Sequence, residues 1–485
     1  MHLGHRGTTL TVLGLALVGV VLRLPFLGVP AGNDEAGFLV VARSWDRGSS
    51  LYGDYWVDRP PLLLWIFDLA GDLTTLRVLG CVAAAATIVL VAAAAATAGG
   101  RAPALAAATT AAVLCASPWL GTARVNGELL AAPFVAASLL GTLLALNRPV
   151  TSGRWAVAAG AAAAAALAIK QSTVDGFVFA VVLLAVLAWS QPTERRRATR
   201  ILLGGVLGAL TTVGVLALGT VLRGTDLLDL VDALVVFRVD AGRVIGSSAS
   251  GATDERLLVL LATWAVSGIA MITVGVLVLS ARRRREPAVV ATAATLVAAS
   301  AVALLGGSYW AHYLVQLVPA AALGAGLLVG ALGSWPRRVG AVALGSALAV
   351  TLGYSLSTGS QQGSDAEQVG RAVRDAAELG DTMVVAYGQP NVLLAAGMDS
   401  PYENLWSLPI RVRDPDLAEL VAVLQGPNAP TWVVEWSDFD TWAVDPTALK
   451  LVVDDRYRPV AVPCGHVVWL RADLDRGEVA ERVCR

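Results

Sequence analysis

Gly32-Asn-Asp-Glu-Ala-Gly-Phe38, followed by Leu51-Tyr-Gly-Asp-Tyr-Trp-Val-Asp-Arg-Pro-Pro-Leu-Leu-Leu-Trp65, is an acidic and aromatic stretch between two long apolar runs, Thr8–Leu24 and Leu73–Ala98. Each run approaches the length that crosses ~30 Å of hydrocarbon as a helix. The stretch between them therefore sits at a membrane edge, where carboxylates can act as general bases and aromatic rings offer flat faces with polar edges suited to a sugar. We read residues 25–72 as a catalytic first outer loop.

Working outward, apolar runs recur at Ala102–Pro118, Leu129–Leu146, Trp155–Ala168, Val174–Trp189, Ile201–Leu222, Leu257–Ser280, Ala288–Leu305, Tyr313–Leu332 and Val339–Tyr354, about eleven in all. With 56% hydrophobic and 15% charged residues among 485, the chain is too apolar for an ordinary soluble enzyme. Its mean hydropathy of +0.65 says the same. The expected fold is a polytopic α-helical membrane protein over residues 1–358, with many spans rich in alanine and so able to pack closely. A net charge of −1 gives no overall basic character, and no nucleic-acid partner is expected. Met1 to Arg6 resembles the basic start of a signal peptide, but no small-residue cleavage site follows, so the first span reads as an uncleaved anchor.

Basic residues fall in alternate loops: Arg101, Arg148 with Arg154, Arg195 to Arg200, Arg282 to Arg285, and Arg337 with Arg338. The positive-inside rule makes that side cytoplasmic, together with the N-terminus. An odd number of spans then leaves the C-terminal domain, residues 359–485, outside. The Ala-, Arg- and Val-rich, Lys-poor usage points to a GC-rich bacterial genome and hence a plasma membrane.

That C-terminal part reads as a small extracytoplasmic α/β domain. Ser364-Asp-Ala-Glu367 is a capping-box pattern opening a helix, and Asp414-Pro415 opens another through Leu424. Met383–Tyr387, Trp432–Trp436, Leu451–Val453 and Val467–Leu470 read as strands. Cys464 and Cys484 lie where an oxidising compartment permits a disulfide, which would contribute about 3 kcal/mol; the alternative is two buried thiols. Cys81 and Cys115, inside spans, act as small apolar residues.

Asp34 and Glu35 are adjacent, so on a helix they point about 100° apart; one can face a cavity while the other caps or anchors. The plain alternative is an interfacial charge pair. Tyr52, Tyr55 and Trp56 are candidate sugar- or acceptor-binding surfaces, although Tyr and Trp also belong at interfaces for their own sake. In Asp58-Arg59-Pro60-Pro61 two prolines stiffen the backbone beside an arginine fork suited to phosphate. Arg23 and Arg43 either join it or snorkel to headgroups. Asn126-Gly-Glu128 opens the fourth span; Glu128 is either a favourable helix N-terminal charge or a second acid of the same site. Lys170-Gln171 ends a span, where a lysine at membrane depth seeks an anion, and His312 is a further donor candidate or a structural histidine. There is no nucleotide phosphate loop, no Cys-x-x-Cys metal pattern and no serine-nucleophile elbow. No cofactor is called for, and a divalent metal remains an open choice.

Asn33-Asp34-Glu35 before Tyr52-Gly-Asp-Tyr-Trp56 and Asp58-Arg-Pro-Pro61, with the later Asn126-Gly-Glu128 and Lys170-Gln171, resembles the GT-C membrane glycosyltransferases of the protein O-mannosyltransferase and lipid A aminoarabinose transferase type. The resemblance covers about the first 330 residues. Members often carry Lys before the double proline and Asn-Pro-Glu in the later motif, where this chain has Arg59 and Gly127. It implies a GT-C fold and an inverting transfer of a hexosyl or pentosyl group from a polyprenyl-phosphate carrier to an envelope glycan, lipid or protein. By the same resemblance Asp34 is the base with Glu35 as backup, and Arg59, Lys170 and His312 stabilise the leaving phosphate. Asp58, Asn126, Glu128 and Gln171 fall to the sugar or acceptor. The competing readings are a flippase of lipid-linked intermediates, with polar residues lining a path, and a non-catalytic envelope scaffold.

Overall fold

The structure is a computed structural model that describes residues 2–247, 251–331, 364–441, 444–481 and 484, with 345, 349, 352 and 353. Seven helical segments are long and apolar enough to cross a membrane, and an eighth is counted if one bent pair forms a single span. The chain is thus a multi-pass membrane protein. In order, the helices are α1 His2–Val21, α2 Asn33–Ser44, α3 Pro61–Ala70, α4 Leu73–Gly99, α5 Arg101–Ala116, α6 Gly127–Asn147, α7 Ser152–Ile169, α8 Asp175–Ser190 and α9 Arg195–Leu222. They continue with α10 Leu227–Val231, α11 Phe237–Ser247, α12 Gly251–Val266, α13 Ile269–Arg282, α14 Pro287–Leu305 and α15 Val318–Ala331.

Two expectations change here. Leu257–Ser280 was expected as one straight span; the chain instead breaks at Ser267-Gly268, where Gly268 takes φ +80°, and α12 meets α13 at 63°. A glycine tolerates that left-handed turn at little cost, and a side chain does not. The spans expected around Ala102–Pro118 and Val174–Trp189 form helices of only 16 residues each. The last expected span, Val339–Tyr354, lies outside the described residues except at 345, 349, 352 and 353, and the domain boundary near residue 358 lies wholly outside them.

The first loop is itself helical. Pro61 occupies the first turn of α3, where its missing N–H costs nothing, and Gly71 closes the helix at φ +67°. Asp72 accepts from the N–H groups of Thr74 and Thr75 at 2.8 and 3.0 Å and so starts α4. The connectivity then sets every short corner that follows α1, α3, α5, α7, α9 and α14 at one end of the bundle, which we call the loop end.

Small residues decide how the helices touch. α7 and α9 pack through Ala156, Gly160, Gly205 and Gly208, and a Cβ at Gly160 would lie 1.8 Å from the Gly205 carbonyl oxygen. Such contact suits membrane helices, which associate by packing.

The C-terminal domain has a four-stranded sheet in the order β1-β2-β4-β3, with β1 Met383–Ala386, β2 Trp432–Glu435, β3 Tyr457–Ala461 and β4 Val467–Arg471. β1 and β2 are parallel, and the other pairs are antiparallel. The strand expected at Leu451–Val453 is part of the helix Thr447–Arg456. Buried Leu449, Val452 and Val453 recur at helical spacing, and Asp445 accepts from Thr447 N–H at 3.0 Å to open the helix. The helix expected from Asp414 begins at Ala418, with the Asp414 carboxylate taking the N–H groups of Glu419 and Leu420. Cys464 and Cys484 form a disulfide, with Cα atoms 4.8 Å apart.

The α7–α9 contact makes a stability prediction. A Cβ at Gly208 would lie 2.0 Å from the Val157 carbonyl oxygen, whereas nothing lies within 4 Å of one at Gly214 on the same helix. Gly208→Val is expected to cost about 1–3 kcal/mol by overpacking and to lower the melting temperature in detergent; Gly214→Val is expected to leave it near wild type.

Candidate active site

The site begins with a buried ion pair. Glu35 on α2 is 1% exposed and Arg77 on α4 is 2% exposed. Arg77 donates to both Glu35 oxygens, at 3.2 and 2.9 Å, and its remaining N–H groups reach the carbonyls of Leu27, Val29 and Pro30. Glu35 also accepts from the N–H groups of Gly32 and Val125, at 3.1 and 2.8 Å. The carboxylate thus ties the start of α2 to α4 and to the loop before α6. Its hydrogen-bonding capacity is spent on architecture.

Asp34, one residue earlier and half-buried, projects to a different side of α2. It accepts from the indole Nε1–H of Trp406 at 3.2 Å. Arg59, Lys170, Arg238 and His312 all feel its charge.

These basic groups come from four separate segments. Arg59 follows Asp58, whose carboxylate it contacts at 2.7 Å, and its guanidinium lies 5.5 Å from the centre of the Phe38 ring. Arg238 on α11 reaches the other Asp58 oxygen at 2.5 Å. Asp58 therefore joins two arginines, and Gln171 donates to its backbone carbonyl at 2.9 Å. Lys170, at the α7–α8 corner, pairs with Glu128 at the start of α6 and lies 4.6 Å from the Tyr313 ring centre. His312 Nε2 stands 3.8 Å from the same Glu128 oxygen. Burial lowers the Lys170 ammonium and the Arg238 guanidinium from their ordinary values, against the pull of Glu128 and Asp58 respectively. Asn126 caps α6 by accepting from Leu129 N–H at 2.9 Å.

The sequence candidates divide accordingly. Asp34, Arg59, Lys170, His312, Glu128, Asp58 and Gln171 meet at the loop end. Tyr52, Tyr55 and Trp56 are buried instead. Tyr52 donates to the Arg59 carbonyl at 2.8 Å, Tyr55 Oη accepts from Ser400 N–H at 2.9 Å, and the Trp56 ring packs against Phe237 at 4.6 Å. They fasten the loop to its surroundings. Arg23 donates to the Cys115 carbonyl and Arg43 to that of Gly71, so neither joins the cluster. Arg77, Arg238 and Trp406 carry no sequence motif; the one signal for Arg77 was an arginine inside an apolar run. Among the described residues, Asp365, Cys464 and Cys484 come close enough to share a metal ion, and the two thiols are already joined.

No protein-family model and no curated protein sequence matches this chain. Solved structures do. Over 96% of this chain and 98% of the other, it superposes on ArnT from Cupriavidus metallidurans bound to undecaprenyl phosphate, with a TM-score of 0.67 and 16% identity. It also superposes on the Archaeoglobus fulgidus oligosaccharyltransferase tethered to an acceptor peptide, with a TM-score of 0.55 and 15% identity over 96% of this chain and 75% of that one. The chain has the GT-C fold.

The Glu35–Arg77 anchor is testable by stability. Glu35→Gln and Arg77→Met each leave a buried partner uncompensated, a cost of about 3–5 kcal/mol, and are expected to lower the melting temperature sharply. Asp34→Asn is expected to melt near wild type. Wild-type melting of Arg77→Met would remove the anchor from this account.

Proposed function

We propose that this protein is an inverting glycosyltransferase that moves a sugar from a polyprenyl-phosphate carrier to an acceptor on the outer face of a bacterial plasma membrane. The observation that carries the reading is the loop-end cluster, in which one carboxylate, Asp34, stands apart from the acids that the cations already hold. The acceptor oxygen attacks the anomeric carbon while Asp34 takes its proton. The bond from that carbon to the phosphate oxygen breaks, and its electron pair leaves with the lipid phosphate. A single displacement inverts the carbon and requires base and leaving group on opposite faces of the sugar.

Arg59, Lys170 and Arg238, with His312, stabilise the charge that grows on the phosphate, where preorganised donors are most effective. Asp58 and Glu128 hold these cations in place until phosphate arrives, and Gln171 and Asn126 brace the corners that carry them. Tyr52, Tyr55 and Trp56 enter as packing of the loop. A shallow, mostly apolar recess lined by Leu260, Leu261, Trp264, Ala303, Leu304 and Leu314, with Ser300 among them, lies beside the His312 segment and suits hydrocarbon. The positive-inside pattern supports a cytoplasmic N-terminus and an outer C-terminal domain. The α12–α13 break is one bent pair among the described residues, whereas transporter folds build their sites from discontinuous helices in corresponding repeats.

Purified full-length protein, given a panel of polyprenyl-phosphoryl hexoses and pentoses with envelope acceptors, is expected to release polyprenyl phosphate. Asp34→Asn is expected to lose about 10²–10⁴-fold in turnover, the range of a general base. Turnover near wild type would overturn the assignment, and lipid-linked sugar scrambled across vesicles without transfer would favour a flippase.

A further inference from the structure

A base set among cations has a problem of its own. Arg59, Lys170 and Arg238 all attract Asp34, and a carboxylate that collapses onto one of them would tie up both the base and a phosphate ligand. Neighbouring Glu35 is held by Arg77, and Arg413 pairs with Glu403. The group that holds Asp34 by a hydrogen bond is neutral. Trp406 Nε1–H donates to Oδ1 at 3.2 Å, and Oδ2 takes no hydrogen bond from the described residues.

We propose that Trp406, supplied by the C-terminal domain, is the positioning residue for Asp34: its indole N–H holds Oδ1 and leaves Oδ2 to take the acceptor proton. An indole is a donor only and carries no charge, so it fixes the carboxylate without neutralising it. The inference rests on the reading of Asp34 as base.

The local structure accommodates this ring closely. A Cβ on Gly37, one turn beyond Asp34, would lie 2.2 Å from Trp406 Cζ2, so glycine makes the space the indole fills. Phe38 packs against the same indole, with ring centroids 5.3 Å apart. Trp406 also stands at the head of the helix Ser407–Arg413, and the segment around it grips the first loop. Ser400 N–H donates to Tyr55 Oη, Trp56 N–H donates to the Glu403 carbonyl at 3.1 Å, and the Arg413 guanidinium lies 4.4 Å from the Trp56 ring centre. Asn391 donates to the Ala31 carbonyl at 3.4 Å, just before α2. The C-terminal domain thereby completes the active site, although it is far away in sequence.

The test is a double-mutant cycle in the full-length protein, read as polyprenyl phosphate released in single turnovers at saturating donor. Trp406→Phe keeps a ring and removes the donor. It is expected to lower the turnover rate about 10-fold or more, as for a hydrogen bond to a charged group, with the donor KM from a separate steady-state titration within about two-fold of wild type. In the Asp34→Asn background the same change is expected to cost less than about two-fold, because its effect runs through the carboxylate. Gly37→Ala, which displaces the indole while keeping Trp406, is expected to reproduce both results and covers the case in which Trp406→Phe fails to fold. Equal losses in both backgrounds, or a raised KM with unchanged turnover rate, would overturn the role. Failure of the base reading shows separately, as Asp34→Asn turning over near wild type, and failure of the glycosyltransfer reading as no polyprenyl phosphate released by the wild-type protein.

Discussion

The buried pair between Glu35 and Arg77 is the contact on which the loop end depends. Arg77 gathers the Glu35 carboxylate together with the carbonyls of Leu27, Val29 and Pro30, so one guanidinium fixes both the end of the first span's connection and the start of α2. A buried charge pair is weak evidence for stability by itself, since both ions lose their water. Here its geometry does something else. With Glu35 held inward, Asp34 is turned about 100° around the helix and presented to the cation cluster.

That cluster follows the same electrostatics. Lys170, Arg238 and Arg59 are each partly withdrawn from water at a membrane edge, where an unpaired cation is costly. Glu128 and Asp58 partner them, and Asp58 serves two arginines at once. In the proposed reaction a lipid phosphate enters a field that is already arranged, so little reorganisation accompanies the growth of charge on the leaving group. The aromatic residues of the first loop carry a mechanical task, since Tyr52 binds the Arg59 carbonyl and Tyr55 the Ser400 N–H.

Much of the membrane architecture was legible because apolar runs and their bounding charges report directly on a bilayer. As members of the candidate loop-end cluster, Asp34, Arg59, Glu128 and Lys170 stood out in the sequence because polar groups at span ends are scarce and their types are chemically pointed. The break at Gly268 was not, since a glycine in an apolar run reads equally well as helix filler. Leu451–Val453 misread as a strand because a short apolar run does not distinguish helix from strand; the cap at Asp445 decides it. Arg238 was one of several arginines in a polar connection, and Trp406 lay in a domain separated from Asp34 by 372 positions. Only tertiary structure brings these residues to the acid.

The central claim is that the loop end holds a base on one side and a phosphate site on the other. It is tested most directly by an experimental structure of the full-length protein with undecaprenyl phosphate bound. The phosphate is expected within hydrogen-bond distance of Arg59, Lys170 or Arg238, with Asp34 facing it across a sugar-sized gap. A phosphate at the opposite end of the bundle, or one seated with Asp34 on its own side of the sugar position, would contradict it.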